Sequence, residues 1–207
     1  MGKNSSSPLI DPDSLFINLN RLMECTEAEG PGKRFCLWVQ GCLRHCPGCC
    51  NQEMQELVPH KIISLNELCS SILRSRQVYS IEGITFLGGE PMLQAKSLWK
   101  VAKLCQQNDL SVIVFTGYTY NDLLVNDQGI ENVSDLLKYT DVLIDGSYIE
   151  SLRDNVRNWV GSTNQVFHYL TNRYDTSIEM DERYRNVIEL EFNQNGVLVS
   201  GCPKSII

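Results

Sequence analysis

The feature that most constrains this chain is a group of four cysteines within nine residues, Cys42 to Cys50, in the stretch WVQGCLRHCPGCCN. The first three have the spacing C-x3-C-x2-C on a segment with a proline and two glycines, so the backbone can fold around a compact object. Soft thiolates select zinc or iron–sulfur clusters. A closed zinc site takes four ligands, usually as two separate pairs, and the sequence shows no second pair. A four-iron cluster held by Cys42, Cys46 and Cys49 would leave one iron without a protein ligand.

Composition indicates which cellular compartment and which classes of binding partner suit this protein. The nine cysteines are an odd number and no signal-peptide pattern precedes them, which favours a reducing compartment, the cytoplasm. Cys69 and Cys105 lie in helical patterns among apolar residues and are expected in the core, whereas Cys202 is expected to be a buried or free surface thiol. A net charge of −7 without clustered Lys and Arg argues against nucleic acid. No apolar run is long enough to span a membrane, so a peptide, protein or small-molecule substrate fits better.

Strand and helix patterns alternate along the chain, after a Ser-rich segment at 1–13 that is expected to be a disordered tail. Strands are expected at 14–25, 34–40, 84–87, 110–116 and 141–145, and helices at 64–76, 91–107 and 121–139. Apolar strands separated by helices form parallel βα units. The sequence therefore predicts an α/β fold, and its length permits a partial (β/α) barrel of five or six parallel units. A short C-terminal β-hairpin with a turn at Asn195-Gly196 should follow.

The candidate motifs come directly after predicted strands. The cysteine loop follows the second strand, and the glycine pair at 88–89 follows the run ITFL. Thr116-Gly117 and Asp145-Gly146 follow the next two strands. Because parallel α/β folds place their sites at the carboxyl ends of strands, we expect the four motifs to converge on one mouth.

These motifs resemble, in order and separation, those of radical S-adenosylmethionine enzymes. The closest likeness is to activating enzymes of glycyl-radical proteins, in particular those of anaerobic ribonucleoside-triphosphate reductases. The resemblance is carried by EGPGKRFCLWVQGC, GCxxxCPGCxN, FLGGEPM, FTGYT, DVLIDGSYIE and NWVGSTNQ. It covers residues 18–165 and, more loosely, the closing VIELEFNQNGVLVSGCP. It implies a single radical S-adenosylmethionine domain over residues 14–207.

The resemblance also implies the cofactors. Cys42, Cys46 and Cys49 would each bind one iron of a [4Fe–4S] cluster, and the amino and carboxylate groups of S-adenosylmethionine would chelate the fourth iron. One-electron reduction then cleaves the sulfonium to methionine and a 5′-deoxyadenosyl radical, which abstracts hydrogen from the substrate. The electron would come from a low-potential donor such as flavodoxin or ferredoxin.

The resemblance points to seven further residues at the strand ends as cofactor contacts: Gly88, Gly89, Glu90, Pro91, Thr116, Gly117 and Asp145. The first four resemble the motif that receives the methionine ammonium, although a plain glycine turn before a helix would leave the same pattern. The next two are candidates for contacts with the adenosine. The aspartate offers a polar contact at the following strand end.

Three positions need separate weighing. Many relatives have an aromatic residue where this chain has Cys50; as a neighbour of Cys49 on an extended loop it should point away from the cluster, and an exchangeable-ligand role or oxidation sensitivity stays open. Relatives often carry Lys where this chain has Ser147, so any ionic contact of that Lys would be lost. His45 could complete a Cys3His zinc site, but its neighbour Cys46 would then have to ligate the same ion.

Three functions are compatible with the sequence. The first is an activating enzyme that takes the Cα hydrogen from a glycine of a glycyl-radical protein. The second applies the same radical chemistry to a ribosomally made peptide, by epimerisation, cross-linking or backbone excision. The third is a zinc-stapled interaction domain without catalysis. The sequence does not identify the polypeptide substrate, the product, the electron donor or the oligomeric state.

Overall fold

The computed structural model describes residues 15–193 and 196–201. The strands it assigns there are β1 (Phe16–Thr26), β2 (Arg34–Val39), β3 (Lys61–Ser64), β4 (Gly83–Gly88), β5 (Ser111–Phe115), β6 (Val142–Asp145), β7 (Val166–Tyr169), β8 (Glu189–Asn193) and β9 (Gly196–Ser200). The α-helices are α1 (Leu65–Tyr79), α2 (Ala95–Gln107), α3 (Tyr120–Val125) and α4 (Val133–Lys138). Short 3₁₀ turns connect them, including one at Pro91–Gln94 that leads directly into α2.

Over the described residues, seven strands form one open sheet in the order β3-β1-β2-β4-β5-β6-β7. The pairs β2-β4, β4-β5 and β5-β6 are parallel, whereas β1 pairs antiparallel with both β2 and β3, and β7 pairs antiparallel with β6. The expected α/β fold is confirmed in this coarser form, a mixed fold with a sheet rich in parallel pairs. The expected five or six parallel units are four parallel strands in this part of the chain, because the outer strands join the sheet by antiparallel pairing.

The two faces of the sheet have different environments. Along β2, Phe35 and Leu37 belong to the large core beneath α1, α2 and α4, whereas Cys36 and Trp38 face the opposite side. This alternation repeats in β4 and β5, so the central strands are apolar on both faces, as their continuous apolar runs predict. The helix-free side carries a smaller apolar cluster around Trp38, and it is the side that holds the site described below.

Several local expectations are confirmed. The Ser64 hydroxyl caps α1 by accepting a hydrogen bond from the Glu67 N–H at 3.2 Å. Cys105 is fully buried and Cys69 is half-buried against the same core, and burial raises the pKa of both thiols. The hairpin is present as β8 and β9.

Some expectations fall on parts of the chain that the structure does not describe. The tail at 1–13 and Cys202 lie outside the described residues, as does Asn195 of the predicted turn. Among the helices of the described segments, none is both long enough and apolar enough to cross a membrane.

A fully buried arginine connects three strands near their amino ends, opposite the ends that carry the site. Arg34 of β2 is 0% exposed and donates hydrogen bonds to the Thr85 hydroxyl at 2.7 Å and the Ile84 carbonyl at 2.6 Å, both in β4. It also reaches the Ser111 hydroxyl of β5 at 2.9 Å. These bonds satisfy a charge that would otherwise be costly to bury. Arg34 therefore fixes the relative positions of the strands whose ends carry the site.

Replacing Arg34 with Met should lower the free energy of unfolding by about 2–4 kcal/mol, because buried acceptors in β4 and β5 lose a charged donor. Urea denaturation of the anaerobically reconstituted protein measures this change. The control is Arg74→Met, which removes an exposed ion pair with Glu24 and should change stability by less than about 1 kcal/mol. Equal effects in the two variants would contradict the role given to Arg34.

Candidate active site

A cavity of about 840 Å³ lies on the helix-free side of the sheet, at the carboxyl ends of the parallel strands. This volume is within the range of roughly 300–1,000 Å³ that is usual for small-molecule sites. Most of the residues singled out from the sequence line it, namely Cys42, Cys46, Cys49, Gly88, Gly89, Glu90, Thr116 and Gly117. Gly146 lines it at the fourth strand end, so the expected convergence of the four motifs is found.

The base of the cysteine loop is packed directly against the end of β4. The Gly89 N–H donates to the Val39 carbonyl and the Glu90 N–H to the Gly41 carbonyl, both at 2.8 Å. A Cβ at Gly89 would stand 2.4 Å from the Gly41 carbonyl oxygen, and Gly88 has a φ of +105°, where a side chain is strained. The two glycines are therefore required for the close approach of two backbones, whatever else they contact.

Backbone N–H groups hold two of the cysteine sulfurs. The Arg44 N–H lies 3.3 Å from Cys42 Sγ, and the Asn51 N–H lies 3.4 Å from Cys49 Sγ. Hydrogen bonds to sulfur stabilise thiolates and tune the potential of a bound cluster. Burial raises the pKa of the Cys42 thiol, so binding of a metal group there must release a proton.

The loop does not present ligands to a single ion. Among the residues that the structure describes, no three His, Cys, Asp or Glu side chains lie close enough together to hold one metal ion. A cluster does not require this, because each thiolate binds a different iron. His45 is exposed outside the cavity wall, with its Nδ1 at 3.2 Å from Gln55 Oε1.

Glu90 is a buried carboxylate that lines the cavity. It is 1% exposed; Oε1 accepts from the Met92 N–H at 3.0 Å and the Thr116 hydroxyl at 2.8 Å, and Oε2 accepts from the Gly117 N–H at 2.8 Å. Burial raises the pKa of Glu90, while these bonds and the nearby Arg44 guanidinium act in the opposite direction. A carboxylate offers about four acceptor positions, so Oε2 keeps one for a further donor.

Two of the candidate residues lie outside the cavity wall. Pro91 is buried at the first position of the 3₁₀ turn before α2. Asp145 accepts from the Tyr120 N–H at 2.5 Å and lies 2.9 Å from His168 Nε2, so it joins the start of α3 to β7. Neither residue lines the cavity; both belong to the surrounding structure that holds its wall.

The motif NWVGSTNQ forms the opposite wall. Gln165 accepts from the Gly161 N–H at 2.7 Å and donates to the Gly146 carbonyl at 3.1 Å, and Asn164 donates to the Ser147 carbonyl at 2.8 Å. Asn158 donates to the carbonyls of Ile178 and Asp181, both at 2.9 Å. The motif thus holds the loop after β6 in place along one side of the cavity.

Sequence reasoning did not assign roles to three residues that shape this site. Asn51 donates from Nδ2 to the Gly88 carbonyl at 3.4 Å and so ties the far end of the cysteine loop to β4. Arg44 donates two hydrogen bonds to the Ser147 hydroxyl. Asn51 could have been suspected from its place in the quoted motif, but no sequence signal pairs Arg44 with a residue 103 positions away.

Comparison with known proteins gives the family. Residues 28–168 match the family described as a 4Fe-4S single cluster domain. The anaerobic ribonucleoside-triphosphate reductase-activating protein of Vibrio cholerae is 33% identical over 163 residues, 75% of this chain and 99% of that protein. The chain belongs to the radical S-adenosylmethionine activating-enzyme family.

Two further comparisons are more distant. The pyruvate formate-lyase-activating enzyme of Clostridium pasteurianum is 32% identical over 126 residues, 59% of this chain and 49% of that enzyme. The crystal structure of QueE from Escherichia coli aligns with a TM-score of 0.42 and 21% identity, over 50% of this chain and 53% of that one.

Membership of this family makes the protein an enzyme whose cofactors are a [4Fe–4S] cluster and S-adenosylmethionine, and it contradicts the zinc-stapled alternative. The residues present fit both groups. Three thiols, two of them with N–H donors at their sulfurs, border a cavity with room for a small molecule, and a buried carboxylate with one open acceptor position lies beside them.

Replacing Cys42, Cys46 or Cys49 with Ala should abolish cluster retention, because each thiolate is proposed to bind its own iron. Iron content after anaerobic reconstitution is expected to fall from about four per chain to near zero. The matched control is Cys50→Ala, which removes an exposed thiol at the cavity rim and should keep the iron. Loss of the cluster in Cys50→Ala would mean that the ligand set is wrong.

Glu90→Gln should lower the free energy of unfolding by about 1–3 kcal/mol, because its amide NH₂ would face an N–H or O–H donor and at least one buried hydrogen bond would be lost. Denaturation in urea under anaerobic conditions tests this. Glu53→Gln, an exposed carboxylate on the same cavity, is the control and should be neutral within about 0.5 kcal/mol. An unchanged stability of Glu90→Gln would contradict the hydrogen-bonding role.

Proposed function

We propose that this protein activates a glycyl-radical protein by taking the Cα hydrogen from one of its glycines. The observation that carries the proposal is the lining of the cavity: the three thiols and Glu90 share it with residues of the open face of the sheet and with Val197 and Val199 of the hairpin. We infer that a polypeptide segment reaches the cofactors along this face of the sheet. The relatives named above are activating proteins of other enzymes, which supports a protein substrate.

The chain's own residues hold and orient the reactants. We assign Cys42, Cys46 and Cys49 to the cluster and Glu90 to the ammonium of S-adenosylmethionine. When bound, the two groups supply one-electron cleavage to methionine and a 5′-deoxyadenosyl radical, which takes the glycine hydrogen. In this scheme Thr116 and Gly117 act first by fixing Glu90, and contacts of theirs with the adenosine remain a prediction.

The open sheet suits a large substrate. We propose that it works as a partial barrel whose lateral opening receives the glycine-bearing loop. The cavity is also lined by Arg21, Glu29 and Trp38, with the Arg21 guanidinium 4.2 Å from the centre of the Trp38 ring. These groups offer both polar and apolar contacts to a backbone that passes along the cavity.

The reductant is proposed to be a low-potential carrier of the flavodoxin or ferredoxin class, since one electron is consumed in each cleavage. A reducing compartment, the cytoplasm, is proposed with it. No disulfide joins cysteines within the described segments, which agrees with such a compartment.

The test combines the reconstituted protein, a reductant, S-adenosylmethionine and the glycyl-radical reductase of the same organism. Electron paramagnetic resonance should show a glycyl radical on the reductase, with one methionine and one 5′-deoxyadenosine formed for each radical. The control is a reductase variant in which Ala replaces the glycine that carries the radical. Cofactor cleavage without a glycyl radical, together with modification of a short precursor peptide, would overturn the proposal in favour of peptide maturation.

A further inference from the structure

Arg44 is a cation in the cysteine loop that forms no ion pair within the described part of the chain, although its charge acts on the nearby carboxyl groups of Glu90 and Asp122. Its Nε and Nη2 donate to the Ser147 hydroxyl at 3.1 and 2.9 Å, and its guanidinium lies 5.0 Å from the centre of the Tyr118 ring. Over residues 15–193 and 196–201, no Asp or Glu lies within ion-pair distance of it, and Nη1 makes no hydrogen bond. The side of the guanidinium that carries Nη1 is therefore available to a ligand, and Arg44 lines the cavity.

The position of this cation is set by a chain of bonds that begins at Glu90. Gly117 donates its N–H to Glu90 Oε2, and its carbonyl accepts from the Ser147 hydroxyl at 2.8 Å. That hydroxyl in turn accepts from Arg44. A single residue, Gly117, thus binds the anion through its N–H and is linked to the cation through its carbonyl and the Ser147 hydroxyl. The stem of Arg44 packs over Gly117, where a Cβ would stand 2.8 Å from Arg44 Cγ.

The anion of Glu90 and the cation of Arg44, which line the same cavity, match the charges of an α-amino acid. The ammonium would meet the free acceptor position on Glu90, and the carboxylate would meet the guanidinium. Both groups border the loop of Cys42, Cys46 and Cys49, where the methionine part of S-adenosylmethionine is required. A carboxylate has two oxygens, so one can bind iron while the other accepts from Arg44.

We propose that Arg44, clamped by Ser147, binds the carboxylate of S-adenosylmethionine and so positions the cofactor at the cluster. The inference rests on the proposed role of Glu90 at the ammonium, and it is independent of which polypeptide is activated. The ionic contact expected to be lost with Ser147 in place of Lys would then be made by Arg44 of the cysteine loop. Ser147 holds that arginine in place through its hydroxyl.

The test measures the dissociation constant of S-adenosylmethionine for the reconstituted protein by anaerobic equilibrium dialysis, with no polypeptide or reductant present. Arg44→Gln should weaken binding about 10- to 100-fold, as expected for the loss of a charge-assisted hydrogen bond, while iron content stays at the wild-type level. Ser147→Ala leaves the loop sequence intact and should weaken binding about 3- to 10-fold through loss of the clamp.

Two further comparisons make the test specific. Decarboxylated S-adenosylmethionine lacks the carboxylate and should bind wild type and Arg44→Gln equally. In the double variant Arg44→Gln with Ser147→Lys, an ammonium placed at the same point should recover at least tenfold of the lost affinity.

Wild-type affinity in both Arg44→Gln and Ser147→Ala would overturn the proposal. So would an equal loss for the cofactor and its decarboxylated form, or a change in cluster potential without a change in affinity. If Arg44→Gln loses iron, Ser147→Ala decides the question by the same comparison of the two ligands. Because binding is measured without a polypeptide, these outcomes are distinct from failure to form a glycyl radical.

Discussion

The close approach of two backbone segments, at Gly41 and at Gly89, is the constraint on which the rest of the site depends. Parallel pairing of β2 with β4 brings both segments to the same edge, and hydrogen bonds of 2.8 Å join them there. The cysteine loop begins one residue later, so its origin is fixed to the end of β4. A side chain at Gly89 would collide with the carbonyl of Gly41 and move the loop away from Glu90.

Polar contacts then extend this geometry across the sheet. Glu90, after β4, accepts hydrogen bonds from Thr116 and Gly117 at the end of β5. Ser147, in the loop after β6, donates to the Gly117 carbonyl. A buried carboxylate is costly unless its oxygens accept hydrogen bonds, and here three donors reach them from two strand ends. The same bonds that stabilise the anion also fix the spacing between neighbouring strands, so the cofactor contact proposed for Glu90 would depend on the groups that stabilise the fold.

Much of this arrangement could be predicted from the sequence, because it depends on motifs whose residues are close together along the chain. The spacing of Cys42, Cys46 and Cys49, the glycine pair after a buried strand, and the alternation of strand and helix are all local patterns. β3 and β7 could not be predicted with the same patterns, since each owes its state to antiparallel pairing with β1 or β6 rather than to a local pattern. The count of parallel units was too high because β1, which was predicted, pairs antiparallel with β2.

The sequence by itself determined the number and spacing of the thiols, the glycines that permit a close backbone approach, and a family resemblance that the comparisons bear out. Only the tertiary structure decided that Asp145 turns to Tyr120 and His168 rather than to the cavity, and that Arg44 meets Ser147. The physical reason is the range of the interactions. Thiol spacing is set along one loop, whereas a contact between residues about a hundred positions apart exists only when strand register and strand order place their ends side by side.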